Sequence, residues 1–162
     1  MTPTASTAVD ICKQTDHSDL ASPTIVLVYK GSSYADLETE LVQARVTDPL
    51  VTAFTVVHNQ WDALVAAGDA GRVVVVAPAA AALGDPDRPF DSAVVGALIS
   101  FVRSVAIELQ KSGGSANTVL FEENISDRKC QDLIDVLIHK SGIATGQEIF
   151  VTDGLHLGRL HP

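Results

Sequence analysis

Basic residues and cysteines are scarce in this chain of 162 residues. Eleven Lys and Arg stand against 20 Asp and Glu, so the formal net charge at pH 7 is -9. A surface with this excess of negative charge repels phosphate backbones and anionic lipid headgroups, so we expect neither nucleic acid nor a membrane as a partner. The two cysteines, Cys12 and Cys130, form no C-x-x-C pair and no framework of four or more, which argues against a disulfide scaffold or a zinc site.

Long apolar runs and an N-terminal leader are missing as well. No segment reaches the roughly 18 uninterrupted apolar residues that a bilayer core of about 30 Å requires. The N-terminus has no basic segment followed by an apolar run, which a secretory signal would need. Together with the sparse cysteines, these absences predict a soluble, cytoplasmic protein.

Short apolar runs and helical patterns alternate along most of the chain. Residues 1–22, rich in Thr, Ser, Ala and Asp without a period, predict a flexible N-terminal arm, and 23–162 predict one domain. The predicted strands are 24–29, 51–57, 73–77, 118–121 and 148–152, and the predicted helices are 35–44, 60–67, 92–111 and 127–139. Apolar strands separated by helices are typical of parallel sheets with both faces covered. We therefore expect an α/β three-layer sandwich with a mostly parallel sheet of about five strands and right-handed crossovers.

The longest predicted helix has clear start and stop signals. Asp91 or Ser92 can cap its first amides, and the pair at 113–114, Gly-Gly, can end it. Its apolar residues cover more than one face of the helix. Such a helix needs cover from the sheet on one side, and we expect another subunit on the other.

Four segments resemble the short-chain dehydrogenase/reductase family. Residues 71–78 (GRVVVVAP) and 91–109 (DSAVVGALISFVRSVAIEL) are similar to its central strand and the long helix that follows. Residues 115–119, which include Asn117, resemble its sixth strand, and 141–154 resemble its last turn and closing strand, most closely in the β-ketoacyl carrier-protein reductases. The resemblance implies a truncated Rossmann-like domain, because 162 residues cannot hold the seven strands of a full reductase.

The catalytic residues that the resemblance implies are replaced. The family has a Ser near the end of the central strand and a Tyr-x-x-x-Lys motif at the start of the long helix. Those positions hold Pro78, Asp91 and Val95. Proline has no hydroxyl, valine has no ammonium, and a carboxylate cannot replace the phenol that protonates a carbonyl oxygen beside hydride transfer.

The cofactor motifs that the resemblance implies are also absent. The turn at 30–36 keeps one glycine of the pyrophosphate-binding fingerprint and adds a tyrosine and an aspartate. No Asn-Asn-Ala-Gly occurs at 52–60, and Glu122 and Glu123 replace the Pro-Gly after the sixth strand. Because two carboxylates would repel a phosphate-bearing ligand, we expect no dinucleotide and no other cofactor.

Three residues are candidates for acid-base chemistry, each with a simpler alternative. Asp91 is a candidate general base, or else the N-cap of the long helix. His58 is a candidate acid or base at the carboxyl edge of the sheet, after the second predicted strand, or else an exposed loop residue beside Trp61. Glu122 is a candidate partner of Asp91 or His58 in one cleft, or else a solvated loop residue.

The C-terminal tail contains two histidines but no metal motif. His156 and His161, with Asp153, do not have the spacing of a helical pair followed by a third ligand, so we predict no metal site. In the resembled family the C-terminus packs against a neighbouring subunit, and Leu155, Leu157 and Leu160 in the same tail would supply apolar anchors for such a contact.

The sequence therefore supports two functions. The first is a catalytically degenerate, reductase-like protein: a non-redox partner or scaffold subunit that pairs with itself or with a related pathway enzyme. The alternative is a cofactor-independent lyase or isomerase that acts on a ketone or acyl thioester, with Asp91 as general base. A working NADPH-dependent reductase ranks third.

Overall fold

The computed structural model describes residues 23–29, 42–122, 125–139 and 144–152. The predicted arm at 1–22, the predicted helix at 35–44 and the tail after residue 152 therefore lie wholly or mostly outside the described residues. Four strands and five α-helices are described: β1 Thr24–Val28, α1 Asp48–Asn59, α2 Trp61–Ala66, β2 Arg72–Pro78, α3 Ala79–Leu83, α4 Pro89–Leu109, β3 Ser115–Phe121, α5 Asp127–His139 and β4 Glu148–Val151.

The four strands form one parallel sheet in the order β1-β2-β3-β4. β2 is buried along its whole length, and β3 is buried from Ser115 to Leu120. This burial explains why β2 is almost continuously apolar rather than alternating, since a parallel sheet is covered on both faces. The α/β class and the parallel sheet are confirmed.

Helices cover the two faces of the sheet and produce two apolar clusters. On one face, Val73 and Val75 of β2 pack with α1, α2 and α4. On the other face, Val74 and Val76 pack with α5. The alternation along β2 assigns successive side chains to opposite clusters, as the period of a strand requires. The predicted three-layer sandwich is therefore correct.

The second predicted strand is wrong. Residues 51–57 belong to α1, which begins at Asp48 and has Pro49 in its first turn. The buried residues Pro49, Ala53 and Val57 recur every four positions, so a helical stripe faces the core. The described sheet consequently has four strands, and β1 pairs directly with the central strand β2.

The prediction that all crossovers are right-handed does not hold for this arrangement. The steps from β2 to β3 and from β3 to β4 move in the same direction across the sheet. The first step passes through α4 on one face, and the second passes through α5 on the other face. The two connections must therefore have opposite hands, although right-handed crossovers dominate in proteins.

The helix α4 provides most of one core layer. It starts three residues earlier than the pattern at 92–111 predicts, and a 3-10 turn, Gln110–Ser112, follows it. Gly113 ends the helical stretch with φ 92°, the left-handed conformation that glycine adopts readily. By length and composition alone, the stretch Pro89–Ser112 could cross a membrane, with mean hydropathy 1.7. Here its apolar residues Val94, Leu98 and Val102 pack in the core.

Candidate functional site at the carboxyl edge of the sheet

Asp91 is buried at the carboxyl edge of the sheet and is bound by a tyrosine. It lies in the first turn of α4 with 1% of its surface exposed. Tyr29, the residue after β1, is 4% exposed, and its hydroxyl donates a hydrogen bond to Asp91 Oδ1 at 2.7 Å. The N-cap of α4 is Arg88, without a side-chain capping bond, so the interpretation of Asp91 as N-cap is wrong. The carboxylate instead ties the start of α4 to the end of β1.

The surroundings keep the proton on Tyr29. Burial raises the pKa of Tyr29 far above its usual value, and the hydrogen bond to Asp91 and the charge of Asp91 raise it further. Arg45, in the π-helical turn Gln43–Thr47, acts in the opposite direction. Tyr29, Arg45 and Asp91 thus form a polar cluster under the start of α4. The phenol keeps its proton and uses it in the hydrogen bond to the carboxylate, so this proton is not offered to a ligand.

We predict that Tyr29→Phe lowers the free energy of unfolding by about 1–3 kcal/mol, because it removes the buried hydrogen bond that Tyr29 donates to the Asp91 carboxylate. Chemical denaturation of the wild type, Tyr29→Phe, Asp91→Asn and the double variant measures the coupling between the two residues. We expect a coupling energy of about 0.5–3 kcal/mol. Effects that simply add would show that the hydrogen bond contributes nothing to stability.

The same pair predicts a dependence on alkaline pH. The unfolded chain releases the Tyr29 proton near the ordinary pKa of 10.0, whereas the folded chain retains it because the pKa is raised. The stabilisation is therefore complete below pH 10 and is lost as the pH rises further, by up to about 1.4 kcal/mol per pH unit. Tyr29→Phe should unfold with a shallower alkaline slope than the wild type, and equal slopes would contradict the prediction.

The positions of the resembled catalytic residues offer no exposed acid, base or nucleophile. Pro78 ends β2 and is buried, and Val95 is fully buried in α4. Asp91 is the one ionisable residue of the three, and its Oδ1 already accepts the bond from Tyr29. Pro78, Asp91 and Val95 therefore do not supply the exposed proton donor that hydride transfer from a nicotinamide to a substrate carbonyl would need. The glycine-poor turn at 30–36 lies outside the described residues.

Glu122 lies at the same edge of the sheet. It follows β3, and its backbone N–H donates to the carbonyl of Val151 at 3.2 Å. One carboxylate oxygen, Oε2, is buried without a hydrogen-bond partner. Strand alternation places Glu122 on the face of Leu120, which packs in the α4 cluster. The structure therefore brings Glu122 and Asp91 to one edge and one face, whereas Glu123 lies outside the described residues.

His58 lies elsewhere, so its predicted position after a strand is wrong. It is an exposed residue of α1. After α1 the chain continues into α2, where the Leu64 carbonyl lies against Gly71, the residue before β2. That is the amino edge of the sheet, opposite the edge that holds Asp91. The structure does not bring His58 together with the two carboxylates.

Asn117 is a buried polar residue whose role the sequence does not reveal. It lies in β3 and is 1% exposed. Its Nδ2 donates to the carbonyl of Ala144 at 2.9 Å, and its Oδ1 accepts from the backbone N–H of Gln147 at 3.2 Å. One amide thereby holds the turn that leads into β4. The sequence does not set Asn117 apart, because Ser115 and Thr118 of the same strand are also polar and buried.

Metal ligands are not assembled in the part of the chain that the structure describes: it contains no group of three or more His, Cys, Asp or Glu able to hold an ion. The predicted absence of a metal in the tail remains a prediction, because Asp153, His156 and His161 lie outside the described ranges.

Arg72, at the amino edge of the sheet, is the other unusual buried ionisable residue. It is 3% exposed, and its Nε has no hydrogen-bond partner. Burial lowers the pKa of Arg72.

A second notable feature is an apolar surface on α1 and α4, which we call the helix patch. Val51, Phe54 and Phe101 belong to it, and Ile107 is a further exposed apolar residue of α4. The rings of Phe54 and Phe101 meet edge to face at 4.4 Å, which joins the two helices. Val51, Phe54 and Ile107 are 54%, 44% and 65% exposed, whereas large apolar residues usually lie in the core. On the exposed face of α4, a Cβ atom at Gly96 would meet nothing within 4 Å.

Comparison with solved structures identifies the fold. A protein described as a 3-oxoacyl-reductase from Bacillus thuringiensis matches 86% of this chain and 69% of its own, with 18% identity and a TM-score of 0.68. A 3-oxoacyl-[acyl-carrier protein] reductase with bound NAD from Brucella melitensis matches 88% and 65%, with 17% identity and a TM-score of 0.66. An acetoin dehydrogenase from Enterobacter cloacae matches 83% and 65%, with 17% identity and a TM-score of 0.65.

These structural similarities define the class of the fold. The chain has a Rossmann-like α/β fold, and within that class it has the arrangement found in short-chain dehydrogenases and 3-oxoacyl reductases. The chain spans about two-thirds of the length of the structures that it matches. No family model matches the sequence, and no curated protein matches it. The predicted resemblance is therefore confirmed at the level of the fold.

Proposed function

We propose that the protein is a non-redox partner or scaffold subunit with a reductase-like fold, which assembles with itself or with a related pathway enzyme in the cytoplasm. The observation that carries the proposal is the combination of a blocked carboxyl edge and an exposed helix patch. Because one fold can host many functions, the proposed role rests on these two sites and not on the fold.

The carboxyl edge favours a role without hydride transfer. Hydride transfer to a carbonyl needs a proton donor near the substrate's carbonyl oxygen. Pro78 and Val95 have no proton to give, and Asp91 is enclosed and hydrogen-bonded by Tyr29. A substrate would have to reach a residue that is 1% exposed and already accepts a hydrogen bond from Tyr29. Saturable binding of NADPH at micromolar concentration, measured by nicotinamide fluorescence, would contradict this proposal.

The helix patch favours assembly. Exposed apolar residues that cluster on two adjacent helices are typical of protein interfaces, and aromatic residues are enriched there. Gly96 and Ser100, two small exposed residues of α4, leave room for a neighbouring helix to approach α4 closely. The patch is thus suited to a second pair of helices, from a second copy or from a related subunit.

We predict that Phe54→Asp weakens subunit association at least tenfold, because a carboxylate at the centre of the patch would be desolvated on contact. Sedimentation equilibrium or light scattering at micromolar concentration measures this change. Val136→Asp is the matched control, since Val136 is 37% exposed on α5, on the other face of the sheet. Equal association of all three proteins would overturn the patch as an interface. So would a wild type that is monomeric and captures no related enzyme.

The alternative, a cofactor-independent lyase or isomerase acting on a ketone or acyl thioester, is favoured by one observation. Glu122 has a buried oxygen without a hydrogen-bond partner, on the edge and face that Asp91 occupies. A carboxylate oxygen that no protein donor occupies is free to accept a proton from a substrate, so Glu122 is a candidate base. In this function Asp91→Asn and Glu122→Gln would retain the fold and lose turnover. The enclosure of Asp91 by Tyr29 makes the function the second choice.

A further inference from the structure

The outer edge of β1 carries backbone groups without partners among the described residues. The backbone N–H of Tyr29 donates to Val76 at 2.7 Å, and the carbonyl of Pro23 accepts from Arg72 at 3.3 Å. Alternate residues of a parallel strand direct their N–H and C=O to the same side, so residues 23, 25, 27 and 29 face β2. Residues 24, 26 and 28 therefore direct their N–H and C=O away from the sheet.

Within the described residues, this edge lacks the features that protect edge strands. Natural edges are usually guarded by a charged residue, an internal proline or a bulge. β1 reads Thr-Ile-Val-Leu-Val and pairs with β2 in regular register without a bulge. Its side chains are buried on both faces, with Ile25 4%, Val26 7% and Leu27 2% exposed. β1 therefore has the composition and burial of an interior strand that lacks one neighbour.

We propose that β1 pairs antiparallel with β1 of a second copy of this chain, about a two-fold axis at Val26. The outward groups suit this occupant because they are self-complementary: Val26 would face its own counterpart, and Thr24 would face the partner subunit's Val28. Each outward residue offers one donor and one acceptor, so the pairing would form about six hydrogen bonds. No charge on β1 opposes the contact. The two described sheets would then form one continuous sheet.

This interface is distinct from the helix patch and does not depend on it. The patch lies on α1 and α4, which cover one face of the sheet, whereas the proposed contact uses the backbone of its edge. Phe54→Asp therefore provides a background in which the edge contact can be measured alone. An effect of Phe54→Asp and an effect of substitutions in β1 report on separate proposals.

Disulfide trapping tests the position of the axis. In the full chain with Cys12→Ser, Cys130→Ser and Phe54→Asp, Val26→Cys is compared with Thr24→Cys under mild oxidation. Residues paired across the axis would have Cα atoms about 5.5 Å apart, within the range for a disulfide. Two copies of residue 24 would lie four positions apart, about 13 Å. We expect at least ten times more covalent dimer for Val26→Cys, and equal or negligible trapping in both variants would overturn the proposal.

A charge exchange tests the register. In the Phe54→Asp background, Thr24→Lys combined with Val28→Lys places like charges opposite each other across the axis, whereas Thr24→Lys combined with Val28→Glu places opposite charges there. We expect at least tenfold weaker association for the first double variant than for the second, by sedimentation equilibrium. Thermal unfolding at a concentration where both are monomeric verifies that both fold. Equal association of the two folded variants would overturn the register.

Discussion

Gly71→Ala is expected to lower the free energy of unfolding by about 3 kcal/mol, at the upper end of what overpacking usually costs. A Cβ atom at Gly71 would lie 2.3 Å from the Leu64 carbonyl oxygen and 3.2 Å from its carbon, both of them backbone atoms. The φ and ψ of Gly71, -68° and 123°, suit any residue. Glycine is therefore required at position 71 because a side chain has no room there, and not because of the backbone conformation.

The backbone around Gly71 has little freedom to relieve that clash. Its N–H donates to the Gly68 carbonyl at 3.1 Å, and its carbonyl accepts from the Ser115 N–H at 3.1 Å and from Arg72 Nη1 at 2.9 Å. A shift of the chain would stretch these bonds at the point where β2 and β3 begin. Urea denaturation, with the midpoint and slope measured separately, gives the loss of stability.

Gly96→Ala is the matched control for Gly71→Ala and should have the opposite sign. A Cβ atom at Gly96 would meet nothing within 4 Å, and the residue lies inside α4. Alanine there lowers the entropy of the unfolded chain and should raise the free energy of unfolding by about 0.5–1 kcal/mol. If both variants were destabilised equally, the close contact with Leu64 would not be the cause.

The sequence predicts the elements that are long or apolar throughout. The strand at 73–77 corresponds to β2, and the helix at 127–139 corresponds to α5 with the same ends. The helix α1 is not predicted, because the Val and Thr residues within 51–57 favour a strand locally. This local preference outweighs the four-residue recurrence of Pro49, Ala53 and Val57, which indicates a helix. The burial of these three residues against the sheet stabilises the helix, and residue propensities alone do not account for this burial.

The site is predicted less well than the fold, because its contacts join distant parts of the chain. The sequence identifies Asp91 but not its partner, since Tyr29 is 62 residues away. It groups His58 with Asp91, although α1 carries His58 towards the opposite edge of the sheet. Pairing across strands creates these neighbourhoods, and no spacing along the chain encodes them. The helix patch, in contrast, is partly visible as the second apolar face of the long helix.

Asn117→Ala is the other substitution for which we expect a large effect, a loss of about 2–4 kcal/mol in the free energy of unfolding. The Ala144 carbonyl would lose its donor and the Gln147 N–H its acceptor, and each unpaired buried group costs about 1–3 kcal/mol. Asn59→Ala is the control, because Asn59 is exposed at the end of α1 and its replacement should change stability by less than about 0.5 kcal/mol.

Asn117→Ala should also destabilise the turn before β4, and β4 itself, more than the rest of the sheet. β4 pairs only with β3 among the described strands, and the turn before it is held by the Asn117 amide and by Thr145, whose hydroxyl accepts from the Ala116 N–H at 3.2 Å. With the amide removed, the turn and β4 should open more often than the central strands. Hydrogen exchange of the β4 amides should then accelerate more than exchange in β2. Uniform acceleration in both strands would show that Asn117 stabilises the whole sheet and not this turn.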